Sequence, residues 1–245
     1  MAQEALFPID WLVPGERHEH LGILKTGKES EVHLVARHGG GRTVLLAEKR
    51  FRARDRRMFR DDSLYRGVWG EGTRRENRAM KKNTRFGREV MHARWIANEW
   101  ENLVRLHAAG ATVPLPVELL DDGYRMAFVG DDGRAAPRLA EVDLDAATAA
   151  RVWRSLVDEL AIFIAADRVH GDLSAYNVLW WRDRPVIIDL SQTVDVITHP
   201  AARELLLRDV AALGRYFSRR GVPVDPERML ADIGADSRRF ARQVS

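Results

Sequence analysis

Two short segments, one at each end of a predicted β-hairpin, constrain the possible folds of this chain most strongly, because each carries Asp or Asn side chains. The first reads His-Gly-Asp-Leu-Ser-Ala-Tyr-Asn (170–177), and the second, Ile-Ile-Asp-Leu (187–190), ends an apolar run. Asp172, Asn177 and Asp189 can therefore face a common point. This layout is typical of phosphoryl transfer, in which one Asp orients the proton of the attacking hydroxyl while the Asn and the other Asp hold Mg²⁺ on nucleotide phosphates. The alternative is that these residues only organise a turn and end a strand.

The first fifty residues predict three antiparallel strands. Residues 33–37 and 43–47 are β-compatible runs joined by a glycine turn, which indicates a hairpin preceded by one further strand. Lys49 lies on the third strand, and the apolar spacing predicts a helix over 95–108 that carries Glu99. A strand lysine held by a helical glutamate can point its ammonium at the α/β-phosphates of a nucleotide, whereas a strand lysine by itself is usually only solvated.

The second half of the chain is predicted to be more helical. Apolar stripes and capping residues indicate most of these elements. They are a buried strand at 124–129, a helix from Asp143 or Asp145 to about 167, a hairpin between 178 and 188, a helix at 201–218 and a short helix in the last 25 residues.

The charge of the chain is segregated along the sequence. Residues 50–94 hold fifteen Lys and Arg against six Asp and Glu, a net charge of +9, so the rest of the chain carries −6 within a total of +3. Glycines and acidic residues interrupt any periodicity, and we expect residues 60–80 to be mobile or ordered only on binding. A solvated loop is the simplest interpretation of this segment. Because its basic residues are interleaved with aromatic ones, contact with RNA or a ribosomal particle is the second interpretation, and an acidic protein partner is the third.

The composition excludes several kinds of site and location. The chain has 245 residues and no cysteine, which excludes disulfides, thiolate zinc sites and cysteine nucleophiles. Its N-terminus lacks the pattern of a secretory signal, and its most apolar stretch is interrupted by acidic residues and falls short of the ~20 residues of a membrane span. We therefore expect a soluble, cytoplasmic protein with no membrane contact.

Several motifs between about residues 20 and 220 belong together. They are Thr-Gly-Lys-Glu-Ser-Glu-Val (26–32), the Lys49 strand, Trp-x-x-x-Glu-x-x-Asn-Leu (95–103), Met-x-Phe-Val-Gly (126–130), His-Gly-Asp-Leu-Ser-x-Tyr-Asn (170–177), Ile-Asp-Leu-Ser-Gln (188–192), His199-Pro200 and the Arg208-Asp209-Val210 helix. Together they resemble the RIO-type atypical serine/threonine protein kinases, in the bacterial style. The Ser-x-Tyr-Asn and Asp-x-Ser-Gln strings are not those of ordinary protein kinases.

The resemblance implies an α+β, two-lobed fold like that of protein kinases. It predicts an N-terminal antiparallel sheet lobe over 21–130, with a flexible basic insert at about 52–88, and a reduced helical C-terminal lobe over 131–245. The C-terminal lobe is expected to hold the catalytic and metal-binding loops. Residues 1–20 are expected to form a short extension, too short for the winged-helix domain that one branch of the family carries.

The resemblance also implies roles in ATP binding and catalysis. Asp172 is the expected catalytic aspartate, Asn177 and Asp189 are the expected ligands of Mg²⁺ or Mn²⁺, and Glu99 is expected to hold Lys49 against the phosphates of ATP. The other expected ATP contacts are a turn over the triphosphate, formed by Lys28, Glu29 and Ser30, and backbone groups bonded to adenine, in Met126, Ala127, Phe128 and Val129.

Three classes of function agree with these motifs. The first is an ATP-dependent serine/threonine kinase that transfers the γ-phosphoryl group to an unknown protein substrate, including itself. The second is a nucleotide-gated ATPase or assembly factor acting on RNA or ribosomal particles. The third is a small-molecule phosphotransferase of the aminoglycoside or choline kinase type, which needs a larger helical second lobe. Gly171 stands where many kinases have the arginine that binds activation-loop phosphate, so we expect no need for an upstream kinase.

Overall fold

A five-stranded antiparallel sheet forms the N-terminal part of the protein. The computed structural model describes residues 17–52 and 84–233. The strands follow the order β1-β2-β3-β5-β4 across the sheet. They are β1 (Arg17–Thr26), β2 (Ser30–Gly39), β3 (Arg42–Phe51), β4 (Pro116–Leu120) and β5 (Gly123–Ala127). The predicted three-strand start of the chain is therefore confirmed, and β1 begins a few residues before its apolar run.

The β2–β3 turn sets the register of the sheet. Gly39 pairs with Arg42, so the loop contains only Gly40 and Gly41, and both have positive φ (55° and 74°). A two-residue hairpin turn with positive φ at both positions matches the right-handed twist of the strands and favours glycine. The register then fixes Lys49 opposite Val32 on one side and opposite Tyr124 of β5 on the other.

Helix α1 (Arg85–Ala108) follows, and it begins ten residues earlier than the predicted 95. The prediction was wrong at this end because Gly87 and the charged residues beside it interrupt the apolar pattern, in which Phe86 and Val90 precede Met91. Met91 and Trp95 of α1 are both buried. Residues 60–80 and most of the predicted basic insert lie outside the described residues.

The rest of the described chain consists of three helices, three short 3₁₀ turns and small two-stranded ladders. In chain order these are β6 (Gly130–Asp131), β7 (Arg134–Ala135), a 3₁₀ turn (Leu139–Glu141), α2 (Ala146–Ala165), β8 (Arg168–Val169), a 3₁₀ turn (Ala175–Asn177), β9 (Val178–Trp181), β10 (Arg184–Ile187), a 3₁₀ turn (Leu190–Gln192), β11 (Val194–Asp195), α3 (Ala202–Ser218) and α4 (Pro226–Asp232). The predicted β9–β10 hairpin and the later helices are present.

Local chemistry explains where these helices begin. The Asp145 side chain caps α2 by accepting a hydrogen bond from the Thr148 amide at 2.8 Å, so of the two predicted caps it is Asp145 that acts. Asp225 caps α4, whose first residue is Pro226. The apolar stripe of α2 is fully buried at Leu156 and Leu160, as its helical spacing predicts.

Two buried clusters join the sheet to the helical part. The larger contains residues of α1, α2 and α3 together with Phe51 and Tyr124 of the sheet. The smaller joins Val35 and Leu46 of the sheet to Val186 of the β9–β10 hairpin. The predicted α+β fold is confirmed, whereas the lobe boundary near residue 130 stays a prediction. No helix in the two described ranges is long and apolar enough to span a bilayer.

Candidate active site

A cleft of about 590 Å³ lies between the sheet and the helical part. Nine of the residues expected at the ATP site line it: Lys28, Glu29, Ser30, Lys49, Met126, Ala127, Phe128, Val129 and Asp189. Glu99 is fully buried and contacts Lys49, while Asp172 and Asn177 lie on a loop tied to Ile188, which follows β10 and precedes Asp189. The structure thus gathers most of the expected residues around one cleft.

Lys49 is the centre of a buried polar group that joins three parts of the fold. Its Nζ donates to Glu99 Oε1 on α1 at 2.5 Å and to Asp189 Oδ1 after β10 at 3.1 Å. Tyr124 of β5 donates its hydroxyl to the same Glu99 oxygen at 3.0 Å. Lys49 is 6% exposed and Glu99 is 0% exposed, so this ion pair is shielded from water. The lysine ammonium is therefore fixed at the wall of the cleft.

The charges of this group are strongly coupled. Burial alone would lower the pKa of Lys49, but the Glu99 and Asp189 carboxylates raise it well above its ordinary value. Lys49 in turn lowers the pKa of Asp189 to about 2, which keeps that carboxylate ionised at neutral pH. Burial raises the pKa of Glu99, whose Oε2 has no hydrogen-bond partner among the described residues. The charge of Glu99 therefore depends on Lys49.

The loop that carries Asp172 is tied to the strand that leads to Asp189. The Asn177 side-chain amide donates to the Asp172 carbonyl at 2.8 Å, and the Asp172 amide donates to His170 Nδ1 at 3.3 Å. His170 Nε2 then donates to the Ile188 carbonyl at 3.1 Å, and the Ile188 amide donates to the Asn177 carbonyl at 3.0 Å. These four bonds leave the Asp172 carboxylate on the exposed side of the loop.

His170 has a positioning role in this arrangement. Its ring is fully buried, and burial lowers its pKa below the ordinary value. A neutral ring with its proton on Nε2 satisfies both contacts, since Nε2–H donates to Ile188 and Nδ1 accepts from Asp172. Both ring nitrogens are thus committed to the backbone.

Gly171 is required by the backbone at its position. Its φ is +81°, and a Cβ built on it would lie 2.4 Å from the Gln192 carbonyl oxygen. The Arg208 guanidinium donates to the Gly171 carbonyl. Many ordinary kinases have an arginine at the position of Gly171. In this structure there is no space for a side chain at that position.

Asp209 of α3 holds the backbone of the same loop. It was not among the predicted site residues. Its two carboxylate oxygens accept the amides of Gly171 and Leu173, each at 2.8 Å. Burial raises the pKa of Asp209 to about 7. Its position in the sequence could have indicated this role. An Asp four residues after Leu205 lies on the apolar face of the helix, where a carboxylate needs hydrogen-bond donors.

Other residues of the cleft were not among the predicted site residues, although Ser191 belongs to the Asp-x-Ser-Gln string and Tyr124 to a predicted strand. Ser191 donates its hydroxyl to Asp189 Oδ1 at 3.1 Å, and Tyr124 orients Glu99 as described. Lys25, Arg138 and Glu141 also line the cleft. Lys25 is far from Arg138 and Glu141 in the sequence and meets them at the cleft only in the folded chain, so no local pattern indicates these three residues.

The donor set around Asp189 suits a hard cation bound together with phosphates. In the part of the chain that the structure describes, no three His, Asp or Glu side chains form a metal site on their own. Asn177 uses its amide nitrogen on the Asp172 carbonyl, which leaves its oxygen as a donor to a metal. Asp189 shares only Oδ1 with Lys49 and Ser191. Carboxylate and amide oxygens are ligands that Mg²⁺ prefers, usually with substrate phosphates.

The RIO domain is the family whose model matches this chain, over residues 54–229. RIO-type serine/threonine-protein kinase Rio1 of Haloferax volcanii is 34% identical over 217 residues, 88% of this chain and 69% of the relative. The kinase of the same name from Thermoplasma acidophilum is 32% identical over 135 residues, 55% of this chain and 69% of the relative. Serine/threonine-protein kinase RIO1 of Caenorhabditis elegans is 34% identical over 216 residues, 88% of this chain but only 40% of the relative.

These matches cover most of the chain, including the Asp172 loop and the Asp189 strand end. The chain spans about two thirds of the length of the archaeal relatives and less than half of the nematode one. The family and the enzyme class that the motifs predicted are both confirmed. The chain belongs to the RIO domain family of atypical serine/threonine protein kinases.

Proposed function

We propose that this protein transfers the γ-phosphoryl group of ATP to a hydroxyl group of a protein, including one of its own. The observation that carries the proposal is the Lys49 group, in which a buried glutamate and an ionised aspartate fix an ammonium at the wall of a cleft of about 590 Å³. A fixed lysine of this kind neutralises nucleotide phosphates without reorganisation when they bind.

The backbone after β5 supports the proposed adenine site. The Phe128 amide donates to the Leu45 carbonyl at 3.2 Å, and the Val129 carbonyl accepts from the Ala136 amide at 3.0 Å. The Val129 amide has no backbone partner among the described residues, which makes it our proposed donor to adenine. Met126 and Ala127 line the same wall of the cleft.

The turn between β1 and β2 is proposed to cover the triphosphate. Lys28, Glu29 and Ser30 line the same cleft as Asp189. The Gly27 amide donates to the Ser30 carbonyl, and the Arg52 amide donates to the Glu29 carbonyl, each at 2.9 Å. These bonds hold the turn against β3 and leave the Lys28 side chain exposed.

Asp172 is the proposed catalytic carboxylate. The hydroxyl oxygen of the acceptor forms a bond to the γ-phosphorus, the bond from that phosphorus to the β–γ bridging oxygen breaks, and ADP leaves. Asp172 accepts or orients the hydroxyl proton, which suits an exposed carboxylate on a loop whose backbone is fixed. Asn177 and Asp189 would hold Mg²⁺ or Mn²⁺, which supplies charge neutralisation of the phosphates when bound.

Contact with RNA or ribosomal particles through residues 50–94 stays a prediction, because most of that segment lies outside the described residues. The cytoplasm is our proposed compartment, on the basis of the cysteine-free sequence.

Incubation of the purified protein with γ-labelled ATP and Mg²⁺ tests the proposed function. Label should appear on serine or threonine of the protein itself or of an added protein such as casein. Release of free phosphate alone would instead support the nucleotide-gated ATPase, and labelling of an added aminoglycoside would support the small-molecule phosphotransferase. Either of those results, without protein labelling, would overturn the proposal.

A further inference from the structure

A second cavity, of about 480 Å³, opens beside the loop that carries Asp172. One wall is the segment Ser174, Ala175 and Tyr176, which begins two residues after Asp172. The opposite wall is the C-terminal end of α3 with Arg215, Arg219 and Arg220. Tyr176 is 61% exposed, so this end of the loop is open to an incoming chain.

A further cavity of about 420 Å³ shares Arg215 and Arg219 with the first. It continues past Ser218 to Val224 and Pro226, at the start of α4. The two arginines therefore separate two adjoining hollows, and both are exposed. We call the two cavities together the acceptor groove, since they adjoin at Arg215 and Arg219 between the Asp172 loop and the start of α4.

The acceptor groove is positively charged. The described residues that line it include three arginines and no Asp or Glu. Arg220 is committed to the fold, because its guanidinium donates to the Val142 and Tyr216 carbonyls and lies 3.7 Å from the Tyr216 ring centroid. Its nearest carboxylate is Asp143 at 3.8 Å.

Arg215 and Arg219 are different, because the guanidinium group of neither forms a hydrogen bond or ion pair with any described residue. Both gain some attraction from the negative end of the α3 dipole, but that attraction leaves their donors unused. Two adjacent guanidinium groups with free donors suit bidentate contacts to carboxylates.

We propose that the acceptor groove binds an acidic polypeptide segment on the protein that receives the phosphoryl group, an inference that rests on the proposed function. Carboxylates of that segment contact Arg215 and Arg219, while its serine or threonine reaches Asp172 along the Tyr176 side. A polypeptide fits better than a nucleic acid, because a polynucleotide needs basic contacts repeated along its backbone. Among the described residues, the groove offers two guanidinium groups with free donors, those of Arg215 and Arg219. The Tyr216 ring is also covered by Arg220, so it offers no face for base stacking.

The experiment measures peptide binding without nucleotide, by fluorescence anisotropy. The probes are a fluorescein-labelled serine peptide flanked by glutamates, the same peptide with glutamines, and a short oligouridine. The variants are Arg215→Glu/Arg219→Glu and the milder Arg215→Gln/Arg219→Gln. Arg151→Glu, which changes an exposed arginine of α2 outside both cavities, is the matched control. Thermal melting confirms that each variant is folded.

We expect the glutamate peptide to bind more tightly than the glutamine peptide, and added salt to weaken it. The charge-reversed pair should raise its Kd at least about tenfold, the Gln pair should raise it less, and Arg151→Glu should leave it unchanged. Equal binding of the two peptides, or equal binding by wild type and reversed pair, would overturn the proposal. Arginine-dependent binding of oligouridine without binding of the acidic peptide would also overturn it, in favour of a nucleic-acid site.

Because this assay needs no turnover, its result is separate from that of the proposed function. Failure of phosphoryl transfer with intact, arginine-dependent peptide binding would refute the kinase activity but not the groove. Normal labelling of the protein with no peptide preference would refute the groove alone.

Discussion

Replacing Lys49 should lower the free energy of unfolding, because it leaves the buried carboxylate of Glu99 without a counterion. In Lys49→Met the carboxylate of Glu99, which is 0% exposed, loses its counterion while its Oε2 already lacks a partner. Breaking a buried ion pair from one side typically costs about 3–5 kcal/mol. The Tyr124 hydroxyl still donates to Glu99 and offsets about 1 kcal/mol. Asp189 keeps Ser191 and is partly solvated, so we expect a loss of about 3 kcal/mol in the free energy of unfolding.

The pH dependence of this loss follows from Glu99. Burial already raises the pKa of Glu99, and removal of Lys49, which lowers it, raises that pKa further. A carboxyl with a raised folded-state pKa contributes its stability below the unfolded pKa and loses it as the pH rises through the folded one. The destabilisation of Lys49→Met should therefore be larger at about pH 8 than at about pH 5.

The double variant Lys49→Met/Glu99→Gln is the matched control. It removes the unpaired charge but keeps an oxygen that can accept from Tyr124, so it should recover about 2 kcal/mol of the loss. Urea unfolding followed by circular dichroism measures both variants, and neither should turn over ATP. Two results would contradict the prediction that Glu99 becomes a buried unpaired charge. They are a Lys49→Met variant as stable as the wild type at high pH, and a double variant no more stable than the single one.

Three further predictions concern the metal, the loop backbone and Asp209. A chelator should abolish ATP turnover and Mg²⁺ or Mn²⁺ should restore it, since the two proposed ligands cannot neutralise a triphosphate alone; preferred activation by Ca²⁺ or Zn²⁺ would contradict this. Gly171→Ala should lower the melting temperature far more than Gly221→Ala, because both have positive φ (+81° and +79°) but only at Gly171 would the Cβ meet an oxygen, that of Gln192; equal losses would contradict the packing argument. Burial raises the pKa of Asp209 from 3.8 to about 7, so its contribution to stability is full below about pH 4 and is lost as the pH rises through about 7. Asp209→Asn should remove this decline, which amounts to at most about 4 kcal/mol in urea unfolding; an unchanged decline would count against the assignment.

The parts of the fold with local signals could be predicted from the sequence. Gly40 and Gly41 indicated the β2–β3 hairpin, because positive φ at both positions has few sequence solutions. Asp145 indicated the start of α2 through its capping side chain. The strand of Lys49 and the helix of Glu99 were each recognisable from periodicity, although fifty residues separate them.

The remainder depends on contacts that no local pattern records. Gly87 and the charged residues beside it interrupt the apolar pattern of the first turns of α1, so periodicity placed its start at 95 rather than at Arg85. Asp209 holds two amides almost forty residues before it in the chain, and its helix looks ordinary in isolation. The reason for glycine at 171 becomes visible only when the Gln192 carbonyl is placed beside it.

Comparison of Asp172→Asn with the wild type tests most directly the claim that Asp172 is the catalytic carboxylate of a phosphoryl-transfer site. Binding of a fluorescent ATP analogue with Mg²⁺ and turnover of labelled ATP are measured on both proteins. Asp172 is exposed and does not line the ATP cleft, so the variant should keep the wild-type affinity for the nucleotide. Turnover should fall about 10²–10⁴-fold, the usual contribution of a positioned proton acceptor. Near wild-type turnover, or an equal loss of binding and turnover, would contradict the claim.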